Sequence, residues 1–60
     1  MRLSGIYRAQ LDGDDSEWVE LEWIASTGDW WEIDVEGRHR RVPAERVTAV
    51  GDRIRGRSLA

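Results

Sequence analysis

The chain contains no cysteine and no phenylalanine, one proline, one tyrosine and one histidine, and all nine of its basic residues are arginine. Without cysteine there is neither a disulfide framework nor a thiolate metal site. A lone histidine, His39, makes no zinc site by itself, so neither a metal nor a cofactor is expected. No apolar run approaches the ~20 residues that span a bilayer. The opening Met-Arg-Leu-Ser-Gly-Ile-Tyr has no apolar stretch of the kind found in signal peptides. A cytoplasmic protein without membrane contact is the expectation. The absence of lysine is a property of codons rather than chemistry. It suggests a GC-rich coding sequence of the kind found in actinobacteria or their phages.

Sixty residues allow one domain with a small core and a marginal stability. Four tryptophans then carry much of the available apolar surface. Each can bury ~150–250 Å², so they are the natural staples of so short a chain. The net charge of −3 is unevenly distributed. Residues 1–37 hold two arginines against ten acids, a balance of −8, whereas residues 38–60 hold seven arginines against two acids, a balance of +5. Pairing of acidic with basic strands would neutralise both halves. Two separate patches for two kinds of partner are the alternative.

Read along the chain, Leu3 to Leu11 forms a first strand, with Gly5 as a point of bulge or close backbone approach. Residues 12–16 form an acidic turn. From Trp18 to Ile24 the pattern alternates, with Val19, Leu21 and Trp23 on one face and Trp18, Glu20 and Glu22 on the other. Residues 25–29 turn the chain. The next strand puts Trp31, Ile33 and Val35 on one face and Trp30, Glu32, Asp34 and Glu36 on the other. Glu36-Gly37 fits a two-residue hairpin turn, and Arg38 to Val42 returns. Pro43 pre-sets one helical or 3₁₀ turn and pushes Val42 into the β region. Val47 to Val50 completes the sheet. Residues 51–60 form a basic tail, or an added edge strand in which Ile54 alternates with arginine. The fold class is all-β, with five short strands in a closed or half-closed barrel over residues 1–50.

The stretch Trp30-Trp31, Gly37, Val42-Pro43 and Val47 resembles the C-terminal half of a Src-homology-3 (SH3) domain. Gly5-Ile6-Tyr7-Arg8-Ala9 matches the opening strand of that family loosely. The acidic segment Asp12–Glu17 stands at the place of its acidic loop. The resemblance covers residues 5–50. It implies a five-stranded SH3-like barrel with a short 3₁₀ turn near Pro43, and a shelf of aromatics that docks proline-rich peptides. Tyr7, Trp30 and Pro43 match three shelf positions. Ala9 and Arg46 stand where the family has tyrosines, and Arg40 replaces a glycine.

These readings rank a non-catalytic protein–protein interaction module first. Its candidate binding residues are Tyr7, Trp30 and Pro43, rimmed by Asp14, Asp15 and Glu17. The alternative partner is nucleic acid, held by Arg38, Arg40, Arg41 and Arg46. A third reading is a structural assembly subunit that uses an unpaired barrel edge. An enzyme is not expected. His39 has no activated serine or cysteine beside it in the pattern, and a sixty-residue barrel leaves little concave volume for a substrate.

Overall fold

The computed structural model describes residues 2–12 and 17–56. It is all-β, with strands β1 (Gly5–Leu11), β2 (Val19–Ile24), β3 (Asp29–Ile33), β4 (His39–Val42) and β5 (Val47–Arg55), and one 3₁₀ turn at Ala44–Arg46. The strands form a single antiparallel sheet in the order β4-β3-β2-β1-β5. No helix among the described residues is long and apolar enough to cross a membrane.

The connection between the last two strands dictates the curvature. β4 and β5 are the two edges of the sheet. Laid flat, four inter-strand gaps of about 4.8 Å would separate them by about 19 Å. Only Pro43 and the three residues of the 3₁₀ turn join them, and a 3₁₀ segment advances only about 2 Å per residue. The sheet must therefore coil until its edges approach one another. Packing agrees: Val42 from one edge and Val47 and Val50 from the other pack in the same core with Tyr7, Ala9, Leu21 and Trp30. No pairing between β4 and β5 occurs among the described residues, so the coiled sheet stays open.

Proline makes the corner as expected. Pro43 has φ −57° and ψ 136°, and its carbonyl accepts the Arg46 amide at 3.0 Å. The Arg46 carbonyl in turn accepts the Asp12 amide at 2.7 Å, which fixes the end of β1 to the corner.

β5 bends by bulges. Its register against β1 slips three times, between Ile6 and Tyr7, between Tyr7 and Ala9, and between Gln10 and Leu11. Each slip adds twist and lets a nine-residue strand wrap a seven-residue one. Residues 51–55, expected as a tail or an added edge strand, thus continue β5 along β1. Residues 57–60 lie outside the described residues.

The strand faces follow the expected alternation in β2 and depart from it in β3. Leu21 is core, and Val19 and Trp23 pack against it. In β3 the register Trp23↔Trp30↔Val42 turns Trp30, not Trp31, to the core. Ile33 is therefore exposed, and Val35 leaves the strand for the turn and is fully exposed. The hairpin is also one residue longer than Glu36-Gly37 alone. The Gly37 amide bonds the Asp34 carbonyl and the Asp34 amide bonds the Arg38 carbonyl, each at 2.9 Å, and Gly37 takes the positive φ of 84°. This is the three-residue loop in which a left-handed residue follows a turn.

Gly5 marks a close approach of β1 to β5. A Cβ there would lie 2.6 Å from the Arg55 carbonyl oxygen and 2.6 Å from Arg53 Nε. The carbonyl belongs to the backbone and moves only if the ladder moves. Gly5→Ala is expected to lower stability by ~1–3 kcal/mol, as overpacking does. The check is the midpoint of urea unfolding; an unchanged midpoint would show that β5 does not approach β1 this closely.

Candidate functional site

The sequence places Tyr7, Trp30 and Pro43 on a binding shelf. The structure brings Tyr7 and Trp30 together, but inside the molecule. They are 8% and 4% exposed, with ring centroids 5.9 Å apart in an edge-to-face arrangement. The register of β3 against β2 is what turns Trp30 inward. Trp23 completes the cluster, with its ring centroid 4.9 Å from that of Trp30. Pro43 is half-buried at the corner, next to the Val42 that stands opposite Trp30. Of the acidic rim, Glu17 is exposed, while Asp14 and Asp15 lie outside the described residues.

The aromatic cluster is covered by the chain's own segment Arg2–Ser4. The Arg2 guanidinium carbon lies 5.1 Å from the Trp23 ring centroid, 5.1 Å from that of Trp30 and 5.8 Å from that of Tyr7. The backbone of the segment is held as firmly. Trp23 Nε1 donates to the Arg2 carbonyl at 3.3 Å and the Tyr7 hydroxyl to the Leu3 carbonyl at 2.6 Å. Arg53 donates Nε and Nη2 to the Ser4 carbonyl at 3.1 and 2.9 Å. Ser4 Oγ accepts the Ala25 amide at 2.8 Å. Three consecutive carbonyls are thus each taken by a side chain from the sheet. The Leu3 side chain, in contrast, is exposed.

An exposed aromatic exists elsewhere. Trp18, 48% exposed, stands at the entrance to β2 and borders an open groove of about 220 Å³ with Arg8, Gly51 and Asp52. A Cβ at Gly51 would lie 3.3 Å from Trp18 Cζ3 and 3.6 Å from the Arg8 Cβ, so the indole sits directly on the β5 backbone. The groove sets an indole beside a guanidinium and a carboxylate. The sequence signal for it was Trp18's place on the glutamate side of its strand.

The arginines of the basic half are matched to the acids of the other half. Arg41 Nε is 3.3 Å from Asp29 Oδ1, Arg46 Nε is 3.3 Å from Asp12 Oδ1, and Arg55 Nη2 is 2.9 Å from Glu20 Oε1. Arg38 pairs with Glu36 and with Asp34, the latter at 3.4 Å. Arg40 lies opposite Glu32 in the ladder. Exposed pairs of this kind are worth at most ~1 kcal/mol each. Their effect here is on the field: Arg38, Arg41 and Arg46 each sit beside a carboxylate.

His39 lies beside Glu22. Its Nε2 is 3.9 Å from Glu22 Oε1, and the glutamate is fully buried. No group of three or more histidine, aspartate or glutamate side chains that could hold a metal ion occurs among the described residues.

Asp34 instead organises the β3–β4 turn. Its Oδ1 accepts the amides of Glu36 and Arg38, each at 2.9 Å. The bond from the Arg38 amide, chiefly, holds the carboxyl below the usual aspartate range, with help from the Glu36 amide and the Arg40 charge. A depressed native pKa contributes stability that is present above the unfolded pKa and lost as pH falls through the native one. In Asp34→Asn that part of the acid dependence should vanish. The check is unfolding midpoints of both chains from neutral to strongly acidic pH; parallel curves would contradict the assignment.

Comparison of the chain with protein-family models, with curated proteins and with solved structures found no match, so its function is argued from the geometry above.

Proposed function

We propose that the chain is a small non-catalytic interaction module on an SH3-like, partly open barrel, and that it binds a protein or peptide partner. The strand order, the coil of the sheet and the 3₁₀ turn between its last two strands support the fold part of this reading. The observation that carries the binding part is Trp18. In a chain whose other described aromatics are buried or half-buried, this indole stays half exposed, braced against Gly51 and flanked by Arg8 and Asp52. Tryptophan and arginine are among the side chains that most often dominate interface energetics, and an indole buries a large area with only two rotatable bonds to fix.

The open groove is lined by an indole, a guanidinium, a carboxylate and a glycine. That set can clamp a partner's apolar side chain and pair with its charges. It supplies no nucleophile beside a base, which is why a binding role is preferred to a catalytic one. A nucleic-acid role is disfavoured because the arginines it would use are paired with, or stand opposite, carboxylates. The open edges of β4 and β5 favour one further reading, assembly with another chain by strand addition.

Trp18→Ala tests the reading. The substitution removes an exposed ring and should leave the β-sheet circular dichroism unchanged. Proteins captured from the source cell by the immobilised chain should be lost, with affinity falling by ~30-fold or more as for an interface anchor. Val35→Ala, at the exposed hairpin tip, serves as the control. Capture that survives Trp18→Ala as well as it survives Val35→Ala would overturn the assignment.

A further inference from the structure

From the way Arg2–Ser4 is held, we infer that the Tyr7–Trp23–Trp30 cluster is a recognition site for an extended peptide segment carrying arginine, and that Arg2–Ser4 is its intramolecular occupant. Two kinds of contact make the case. The first is the row of donors. Trp23 Nε1, Tyr7 Oη and the Arg53 guanidinium address the carbonyls of three successive residues. Carbonyls are the same in every peptide, so these donors fix the path of a strand-like segment and are indifferent to its side chains. The second is the ring cluster itself. Three aromatic rings have their centroids within 6 Å of one guanidinium carbon, at 5.1, 5.1 and 5.8 Å. A planar, weakly hydrated guanidinium is the cation best suited to lie against several ring faces. The exposed Leu3 side chain shows that the middle residue is not read.

The segment is placed to compete rather than to be built in. It precedes β1 and has no partner strand in the sheet, and both Arg2 and Leu3 are exposed residues. Its contacts with the cluster are side-chain bonds and one stacked cation, none of them part of a ladder. A segment held in this way in cis acts at the high effective concentration of a short tether. A partner segment binds in its place only when it supplies the same carbonyl spacing and an arginine. The site would therefore be masked in the free chain and opened by displacement. The inference rests on the reading of the chain as an interaction module, but it uses a different surface from the Trp18 groove.

The probe is the peptide acetyl-Met-Arg-Leu-Ser-amide, titrated into the Arg2→Ala chain. The readouts are the Trp23 indole N–H resonance and tryptophan fluorescence. Saturable binding is expected, with the citrulline analogue of the peptide, which is planar and neutral, at least about tenfold weaker. The intact chain should bind the arginine peptide at least about tenfold more weakly than Arg2→Ala does, because its own segment competes. Trp23→Leu in the Arg2→Ala background should abolish binding.

Arginine and citrulline peptides that bind alike, or a folded Arg2→Ala chain that binds neither, would overturn the inference. If Arg2→Ala does not fold, Arg2→Gln, which keeps most of the stem, carries the same titration. Failure of both to fold would make Arg2 an indispensable part of the core and would equally overturn it. Adding Trp18→Ala to the Arg2→Ala chain leaves the peptide titration unchanged if the two surfaces are separate. Failure of the Trp18 groove and failure of the arginine site are therefore told apart.

Discussion

Tyr7, Trp23 and Trp30 form the ring contact on which the rest of this molecule depends, and the Arg2 guanidinium lies against it. A sixty-residue chain without cysteine has no covalent staple, and few aliphatic side chains are available for its interior. Edge-to-face and tilted ring contacts add ~0.5–1.5 kcal/mol each beyond the area they bury. These three rings come from β1, β2 and β3, so one cluster fixes the register of three neighbouring strands. Once Trp30 faces inward, Trp31 must face outward, and β4 must bring Val42 inward opposite Trp30. The corner at Pro43 then carries the chain from one sheet edge to the other and forces the sheet to coil.

Charge segregation along the chain is resolved by this topology. Antiparallel pairing of β3 with β4, and of β1 with both β2 and β5, sets arginines of the second half against acids of the first. The outcome is a surface with pairs of opposite sign rather than two fields. Two sets of aromatic residues then have distinct roles. The Tyr7–Trp23–Trp30 cluster holds the core and is covered by an arginine from the same chain. Trp18 stands outside, where a partner can reach it. The two surfaces differ in chemistry: one takes a cation against ring faces, the other offers an indole between two opposite charges.

Much of the sheet was legible in the sequence because its signals are local. The alternation in residues 18–24, the glycine turn at Gly37, and the proline corner with its 3₁₀ turn each depend on a few adjacent residues. What was misread depends on register, which adjacent residues do not encode. Trp30 and Trp31 present the same local pattern, and only the pairing with Trp23 decides which is buried. Glu22 alternates like a solvent-facing residue, yet it is fully buried, opposite the equally buried Ile6 in the ladder. The continuation of β5 through Arg55 was legible only as one of two alternatives, from Ile54 alternating with arginine, because the bulges of β5 break the period of two. Arg2 gave no signal at all. Its role arises from rings at positions 7, 23 and 30 that meet only in three dimensions.

The most direct measurement of the central claim is the proton NMR spectrum of the Arg2 side chain in the intact protein. A guanidinium held against three ring faces should have its δ-methylene protons shifted well upfield by ring currents, with nuclear Overhauser contacts to both Trp23 and Trp30. Random-coil shifts for those protons, with no contact to either indole, would contradict the account.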